Sequence, residues 1–256
     1  MKIKQSIWII TLITTFLAMW NVSSSVLLAW AAPGSQGQSA KGAVGEIVGK
    51  VLFEGSKPNL QEIYMNKDPE CVRENQGRTV YIQDGAVNAN GTLPNVFVFI
   101  KSGARDERFP VPKKPVVLDQ QGCIFVPHVL GIMVGQTLKV LNSDFTTHNV
   151  RVKPKNNPQW NKSQPPGAAP FYEKFTRSEV MIPASCNMHP WMRAYIGVVT
   201  NPLYDVTGTH GTFTINGVPP GEYTIEAWTA TFGSQEKSVQ VHVHESTTAD
   251  FTFVHK

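Results

Sequence analysis

The stretch Cys186-Asn187-Met188-His189-Pro190-Trp191-Met192 places a thiol, an imidazole and a thioether within seven residues, at the spacing Cys-x2-His-x2-Met. Soft sulfur ligands combined with imidazole favour copper over the harder divalent cations. A trigonal site of two His and one Cys, with a weak axial Met, is typical of a blue-copper electron-transfer centre. The stretch lacks one ligand of that set, so a second His is expected from another part of the chain.

The missing imidazole is predicted to be His148, within the segment Asn142-Ser143-Asp144-Phe145-Thr146-Thr147-His148-Asn149-Val150. His148 begins an alternating stretch that predicts a strand, so we expect it to be the buried ligand. His189 lies in a turn, and we expect its edge to reach the surface as the port for the electron. The predicted ligands of one type 1 copper ion are His148, Cys186, His189 and Met192.

Other metal sites fit this composition less well. A c-type haem needs a Cys-x-x-Cys-His motif, and no second Cys stands near Cys186. Structural zinc sites are closed by Cys, His or carboxylates, so a Met ligand would be unusual. A free Cys beside an incidental His and Met stays open as the non-metal alternative. His128 could approach the metal, and His242 and His244 could bind one from the polar face of a strand, but packed or solvated imidazoles are favoured.

The N-terminal segment is typical of an export signal. Lys2 and Lys4 precede the uncharged, mostly apolar run Ser6–Trp20, and Ala29-Trp30-Ala31 offers small residues for cleavage. We therefore predict a signal peptide at 1–31 and a periplasmic or extracellular location, with an uncleaved membrane anchor as the alternative. No other stretch has the ~20 apolar residues of a membrane span. The formal net charge of +4 includes both lysines of the signal and gives no basis for nucleic-acid binding.

The chain has three cysteines, and export permits disulfides. With Cys186 assigned to the metal, Cys71 and Cys123 remain as a natural pair. One disulfide and one thiolate would account for all three. Two separate buried thiols stay open as the alternative.

Short alternating stretches separated by turns predict an all-β chain. Alternation is clear in Gly45–Phe53 and in Ser238–His244, and Leu93–Ile100 is a further apolar stretch of strand length. Residues 32–44 are small and polar, which predicts a flexible linker. Residues 59–77 and 154–172 are predicted to be loops, and no amphipathic helix of useful length follows the signal.

Part of this pattern resembles the cupredoxins in order and spacing. The matching residues are Phe125-Val126-Pro127, Val134-Gly135-Gln136-Thr137, Asn142, His148-Asn149-Val150 and Cys186 to Met192. The ligand loop is most similar to the amicyanin and plastocyanin type. The resemblance covers about residues 113–200 and implies a Greek-key β-sandwich, with Asn149 as the amide that ties the two ligand loops together. Ser185 departs from the pattern, because an aromatic residue or His often precedes the Cys.

The flanking segments resemble a second family, the carboxypeptidase-regulatory or transthyretin-like β-sandwich. The resemblance rests on Gly45–Phe53, Leu93–Val98 and Gly211–Trp228 with its Pro-Pro-Gly turn. It implies a discontinuous sandwich of residues 45–110 and 201–256, into which a copper domain of residues 111–200 is inserted. A single enlarged cupredoxin-like domain stays open as the alternative.

Together these features predict a carrier of one electron through Cu(I)/Cu(II) and not an enzyme, because no further His-rich copper cluster and no Ser/His/Asp constellation stands out. Met188, Pro190 and Trp191 would surround the His189 edge with apolar area on which a redox partner protein docks. Ordinary packing is the alternative for Trp191. A copper storage, delivery or sensor protein is the second hypothesis. A cell-surface binding module, suggested only by the flanks, is the third.

Overall fold

The computed structural model describes residues 43–103 and 109–255, and this part of the chain is almost entirely β. The prediction of an all-β chain is thereby confirmed. The elements are β1 (Gly45–Gly55), α1 (Pro69–Asn75), β2 (Phe97–Ser102), β3 (Val116–Gln121), β4 (Ile124–Val126), β5 (Val129–Met133), β6 (Thr137–Asn142), β7 (His148–Val152), β8 (Trp160–Gln164), β9 (Phe171–Lys174), β10 (Glu179–Ser185), β11 (Arg193–Val199), β12 (Tyr204–Val206), β13 (Thr212–Val218), β14 (Gly221–Thr229), β15 (Gly233–Val241), β16 (Ser246–Thr248) and β17 (Phe251–His255).

The predicted signal peptide at 1–31 and nearly all of the predicted linker at 32–44 lie outside the described residues. Within the described ranges, no helix is both long and apolar enough to cross a membrane.

The strands form four sheets. One sheet has the order β13-β1-β16, with β17 also paired to β1, and a second has the order β12-β2-β14-β15. The other two have the orders β5-β11-β10-β7-β8 and β4-β3-β6-β9. Every strand of the latter two sheets lies between residues 116 and 199, whereas the first two sheets use only strands before and after that range.

The buried side chains divide in the same way. One core cluster draws on residues 47–100 and 203–253, and a second draws only on residues 118–198. Strand β1 shows how the first core forms, because its buried and exposed positions alternate and put Ile47, Val51 and Phe53 inside. The described residues nevertheless belong to one compact unit, so the domain bounds at 45–110, 111–200 and 201–256 stay a prediction.

A smaller cluster joins the two halves. Phe97 and Phe99 of β2 pack with Val129 of β5 and Val199 of β11. All five residues of β5 are buried. A strand covered on both faces is expected to be apolar throughout, as this one is.

Gly131 in β5 provides a test of this packing. An added Cβ would lie 2.1 Å from Cε2 of Tyr204, whose ring packs against Phe97 at a centroid distance of 5.5 Å. We expect Gly131→Ala to lower the free energy of unfolding by about 1–3 kcal/mol, the usual cost of overpacking. The urea midpoint measures this loss. Gly208→Ala is the matched control, because nothing lies within 4 Å of its added Cβ, and equal midpoints for the two variants would contradict the prediction.

The structure corrects the prediction that residues 59–77 form only a loop, because α1 lies within them. The Asp68 side chain accepts hydrogen bonds from the first backbone N–H groups, Pro69 occupies the first turn, and Gln76 ends the helix with a left-handed backbone (φ 49°). A helix of seven residues is too short for an apolar period to reveal it.

Two further segments differ from expectation. Residues 154–172, predicted to be a loop, contain β8 and the start of β9. Strand β8 forms by pairing with β7 along Val152↔Trp160 to His148↔Gln164, although its central residues are all exposed and show no alternation. Strand β15 ends at Val241, so His242 and His244 lie beyond it and do not share a strand face.

Candidate metal centre

Three of the predicted ligands meet at one end of the five-stranded sheet. His148 begins β7, Cys186 follows β10, and His189 lies in the turn from β10 to β11. The Nδ1 atoms of the two imidazoles lie 2.8 Å apart, and Cys186 Sγ lies 3.9 Å from Nδ1 of His189. The ligand atoms of the three residues all lie within 4.8 Å of one another. One sulfur and two imidazole nitrogens thus converge where a metal ion can be held.

Backbone hydrogen bonds close the turn that carries Cys186 and His189. The Met192 N–H donates to the His189 carbonyl oxygen at 2.9 Å, and the Cys186 N–H donates to the Met192 carbonyl oxygen at 3.3 Å. The His189 N–H points at Cys186 Sγ at 3.4 Å. Met192 is fully buried in the same core cluster as Cys186. Its assignment as the axial ligand stays a prediction.

Asn149 connects β7 to this turn. Its Oδ1 accepts a hydrogen bond from the Asn187 N–H at 2.8 Å and lies 3.3 Å from Cys186 Sγ. Its Nδ2 donates to Oδ1 of Asn161 in β8 at 2.6 Å. These contacts join the two ligand loops as the resemblance implies, and the role of Asn149 beside a metal stays a prediction.

His148 is fully buried, as expected for a residue that begins an interior strand. Its Nε2 lies 2.8 Å from Oδ2 of Asp144, a side chain that is itself only 1% exposed. The two carboxylate oxygens of Asp144 accept hydrogen bonds from the N–H groups of Gly122 and Cys123, at 2.6 and 2.8 Å. Asp144 therefore anchors His148 from the side away from Cys186.

The prediction that the His189 edge reaches the surface is wrong. His189 is only 4% exposed, and its Nε2 lies 2.9 Å from Oδ2 of Asp68 and 3.7 Å from Sγ of Cys71. The physical reason is that the start of α1 lies over the turn and covers the ring. The edge of His189 is thus not open to a partner protein.

The structure contains the predicted disulfide between Cys71 and Cys123, with an S–S distance of 2.02 Å. Both cysteines are buried in a small cluster with Ile63 and Met65. The Trp191 indole Nε1–H donates to the Cys123 carbonyl oxygen at 2.9 Å. The disulfide therefore attaches α1 to the region beside the ligand turn.

Burial raises the pKa of Cys186, but hydrogen bonds from His148 and His189 outweigh burial and lower this pKa to about 5. Burial lowers the pKa of His148, but its contacts with Asp144 and Cys186 outweigh that effect and raise the pKa to about 9. The pKa of His189 is also raised, because its hydrogen bonds to Cys186 and Asp68 outweigh burial. At neutral pH Cys186 is therefore a thiolate, the form of cysteine that binds metals.

The remaining sequence candidates lie elsewhere. Both ring nitrogens of His128 have partners, since Nδ1 lies 3.0 Å from the Arg193 carbonyl oxygen and Nε2 lies 2.8 Å from Oδ1 of Asp84. His128 is not among the clustered donor atoms of the described residues, and neither are the exposed His242 and His244.

The three residues predicted to form a docking surface differ in exposure. Met188 is 54% exposed and Pro190 is exposed, whereas Trp191 is half-buried. The Trp191 ring packs against His189 at a centroid distance of 5.1 Å. The surface beside the covered imidazole is therefore partly apolar, and one of its residues contacts a predicted ligand directly.

The sequence reasoning missed the two carboxylates, Asp68 and Asp144. The Asp68-Pro69 pair is a typical helix start, so an N-cap signal was present, although nothing linked it to His189. Asp144 lies four residues before His148 and carries no signal of its own.

Comparisons with known proteins match parts of this chain. Residues 194–254 match the model of the carboxypeptidase regulatory-like domain. No protein of curated function matches the chain.

Three solved structures are similar to parts of this chain. A mutant of amicyanin in its Cu(I) form is 20% identical with a TM-score of 0.30, and the match covers 40% of this chain and 97% of that chain. A novel purple cupredoxin from Nitrosopumilus maritimus is 24% identical with a TM-score of 0.26, over 29% of this chain and 81% of that chain. The Cu-containing nitrite reductase from Thermus scotoductus SA-01 is 22% identical with a TM-score of 0.31, over 38% of this chain and only 25% of that chain.

Proposed function

We propose that this protein is an exported type 1 copper protein that carries one electron to and from a redox partner protein. The observation that carries the proposal is the convergence of Cys186 Sγ with the Nδ1 atoms of His148 and His189. A thiolate and two imidazoles, with a buried Met192 in the same core, are the soft and borderline donors that suit copper. Bound there, copper supplies a one-electron Cu(I)/Cu(II) couple.

Burial of the site favours electron transfer over storage or delivery of copper. Cys186 is 3% exposed, His189 is 4% exposed, and His148 and Met192 are fully buried. A delivery protein must open its site to pass the metal on, whereas an electron carrier needs only a rigid site and a short path to the surface. The Cys71–Cys123 disulfide fits an oxidising compartment and hence a periplasmic or extracellular location.

The electron path proposed here passes through Trp191 and the backbone of the ligand turn, since the His189 edge is covered. Trp191 contacts the His189 ring and is half-buried. The partner docks on the surface of Met188, Pro190 and Trp191, where an exposed thioether and an exposed pyrrolidine ring offer apolar area.

Voltammetry of the copper-loaded protein tests this function. We expect a reversible one-electron wave and an unchanged copper content through repeated cycles, because a rigid, buried donor set holds both oxidation states. Absorption spectra of the oxidised and reduced forms are recorded on the same samples. A colourless protein that loses Cu(I) readily would contradict electron transfer and would favour storage or delivery.

A further inference from the structure

A carboxylate lies within hydrogen-bond distance of Nε2 in each of the two imidazoles. Asp144 Oδ2 lies 2.8 Å from Nε2 of His148, and Asp68 Oδ2 lies 2.9 Å from Nε2 of His189. In both rings Nδ1 is the nitrogen at the centre, since the two Nδ1 atoms lie 2.8 Å apart beside Cys186. The same arrangement therefore occurs on both sides of the site, from residues far apart in the chain.

The carboxylate of Asp68 is held in place by three further hydrogen bonds. Its Oδ1 accepts from the N–H groups of Glu70 and Cys71, at 2.9 and 3.4 Å. Its Oδ2, the atom that faces His189, also accepts from the hydroxyl of Thr146 at 2.9 Å. Because both oxygens are engaged, the side chain cannot swing away from the imidazole without losing several bonds.

The disulfide connects the two carboxylates. Asp68 caps the helix that contains Cys71, and Asp144 accepts from the N–H of Cys123, the other half of the bond. The Asn75 amide adds a second link, because its Nδ2 donates to the Gly122 carbonyl oxygen at 3.0 Å. The positions of the two carboxylates, and with them the two rings, are therefore fixed relative to each other.

In a pair of a carboxylate and an imidazole, the carboxylate decides which ring nitrogen can bind a metal. A neutral imidazole carries one N–H, and the hydrogen bond made by one nitrogen decides which nitrogen is left to bind a metal. A carboxylate only accepts hydrogen bonds, so it selects the form with the proton on Nε2 and the lone pair on Nδ1. Partners of this kind orient a ligand ring and increase its strength as a ligand.

We propose that Asp68 is a positioning residue of the copper site, which holds His189 with its proton on Nε2 and with Nδ1 turned toward Cys186. The inference rests on the proposed function only in that the metal is copper. Asp68 also covers the Nε2 edge of His189, which is only 4% exposed.

Two variants separate this role from the capping of α1. Asn and Ser both serve well as N-caps, so Asp68→Asn and Asp68→Ser retain the helix start. The Asn amide would present N–H donors to Nε2 of His189, which favours the wrong tautomer, and the Ser side chain is too short to reach the ring. We expect both variants to bind copper about 10- to 100-fold more weakly than wild type, with unchanged urea midpoints.

Two measurements test whether Asp68 positions His189. Copper affinity is measured by competition with a chelator. The position of the imidazole proton is measured by nitrogen-15 NMR of the metal-free protein at a pH above the raised pKa values of His148 and His189, where both rings are neutral. The proton of His189 should lie on Nε2 in wild type and move toward Nδ1 in Asp68→Asn. Thr146→Val, which removes only the hydroxyl bond to Asp68, should give a smaller loss of affinity in the same direction.

Asp250→Asn is the control for loss of a negative charge, because Asp250 is an exposed carboxylate that accepts from the Lys50 N–H at 2.8 Å. It should leave copper affinity unchanged. Wild-type affinity and an unmoved proton in both Asp68 variants would overturn the inference and leave the proposed function standing. If wild type binds no copper, the proposed function fails, and the NMR comparison still decides whether Asp68 sets the tautomer of His189.

Discussion

Cys186→Ser is expected to abolish the intense visible absorption of the Cu(II)-loaded protein completely. The reason is that this absorption requires charge transfer from a thiolate sulfur to copper, and the described residues contain no free cysteine besides Cys186. The thiol is already a thiolate at neutral pH, since hydrogen bonds from the two imidazoles outweigh burial and lower its pKa to about 5. A serine hydroxyl at this position stays protonated and is a hard, weak ligand.

The measurement is the absorption spectrum of both proteins after loading with Cu(II) and removal of free metal. Met192→Leu serves as the matched control, because it conserves volume in the same turn and leaves the thiolate and both imidazoles in place. It should keep the absorption band while shifting the reduction potential, as expected for loss of a weak axial ligand. A band that survives in Cys186→Ser, or that is absent from wild type, would rule out the thiolate–copper site.

The sequence predicted the part of this site that depends on short spacing. Cys186, His189 and Met192 lie within one turn, so a thiol, an imidazole and a thioether can be recognised within seven consecutive residues of the sequence. His148 was predicted because it begins an alternating stretch, and the structure places it at the start of β7 and fully buried. The disulfide followed from counting three cysteines and assigning one of them to the metal.

The cover over His189 depends on long-range contacts that a single sequence does not reveal. Asp68 meets His189 across 121 residues, and Thr146 meets Asp68 across 78. An exposed imidazole was expected because His189 lies in a turn, and turns usually lie at the surface. Here the start of α1 crosses that turn, and the seven-residue helix has no period from which its covering face could be recognised.

The strands between residues 116 and 199 differ in how well the sequence predicted them. The resemblance to the cupredoxins implied a Greek-key β-sandwich over about residues 113–200, and β3 to β11 all lie within that range. Strand β8 was missed because its central residues face solvent, so only its pairing with β7 defines it. Pattern reasoning succeeds where burial imposes a period and fails where backbone pairing alone forms the strand.

Removing the disulfide is expected to have the largest effect on stability. Cys71 and Cys123 are 52 residues apart, and loop-closure entropy over that separation corresponds to about 4 kcal/mol of the free energy of unfolding. The Cys71→Ala/Cys123→Ala double variant avoids leaving a reactive thiol in place of the bridge. Its urea midpoint should fall in proportion to this loss in the free energy of unfolding, provided that the slope of the transition is unchanged.

Val72→Ala is the matched control, since Val72 lies on the exposed side of α1 beside Cys71 and is 46% exposed. Its free energy of unfolding should stay within about 0.5 kcal/mol of wild type, as for most surface substitutions. A loss below about 1 kcal/mol in the double variant would show that the described packing around Ile63 and Met65 holds α1 without the bridge. We expect the full loss of about 4 kcal/mol in the free energy of unfolding. We also expect weaker copper binding, because the disulfide fixes Asp68 relative to Asp144 and so places both imidazoles.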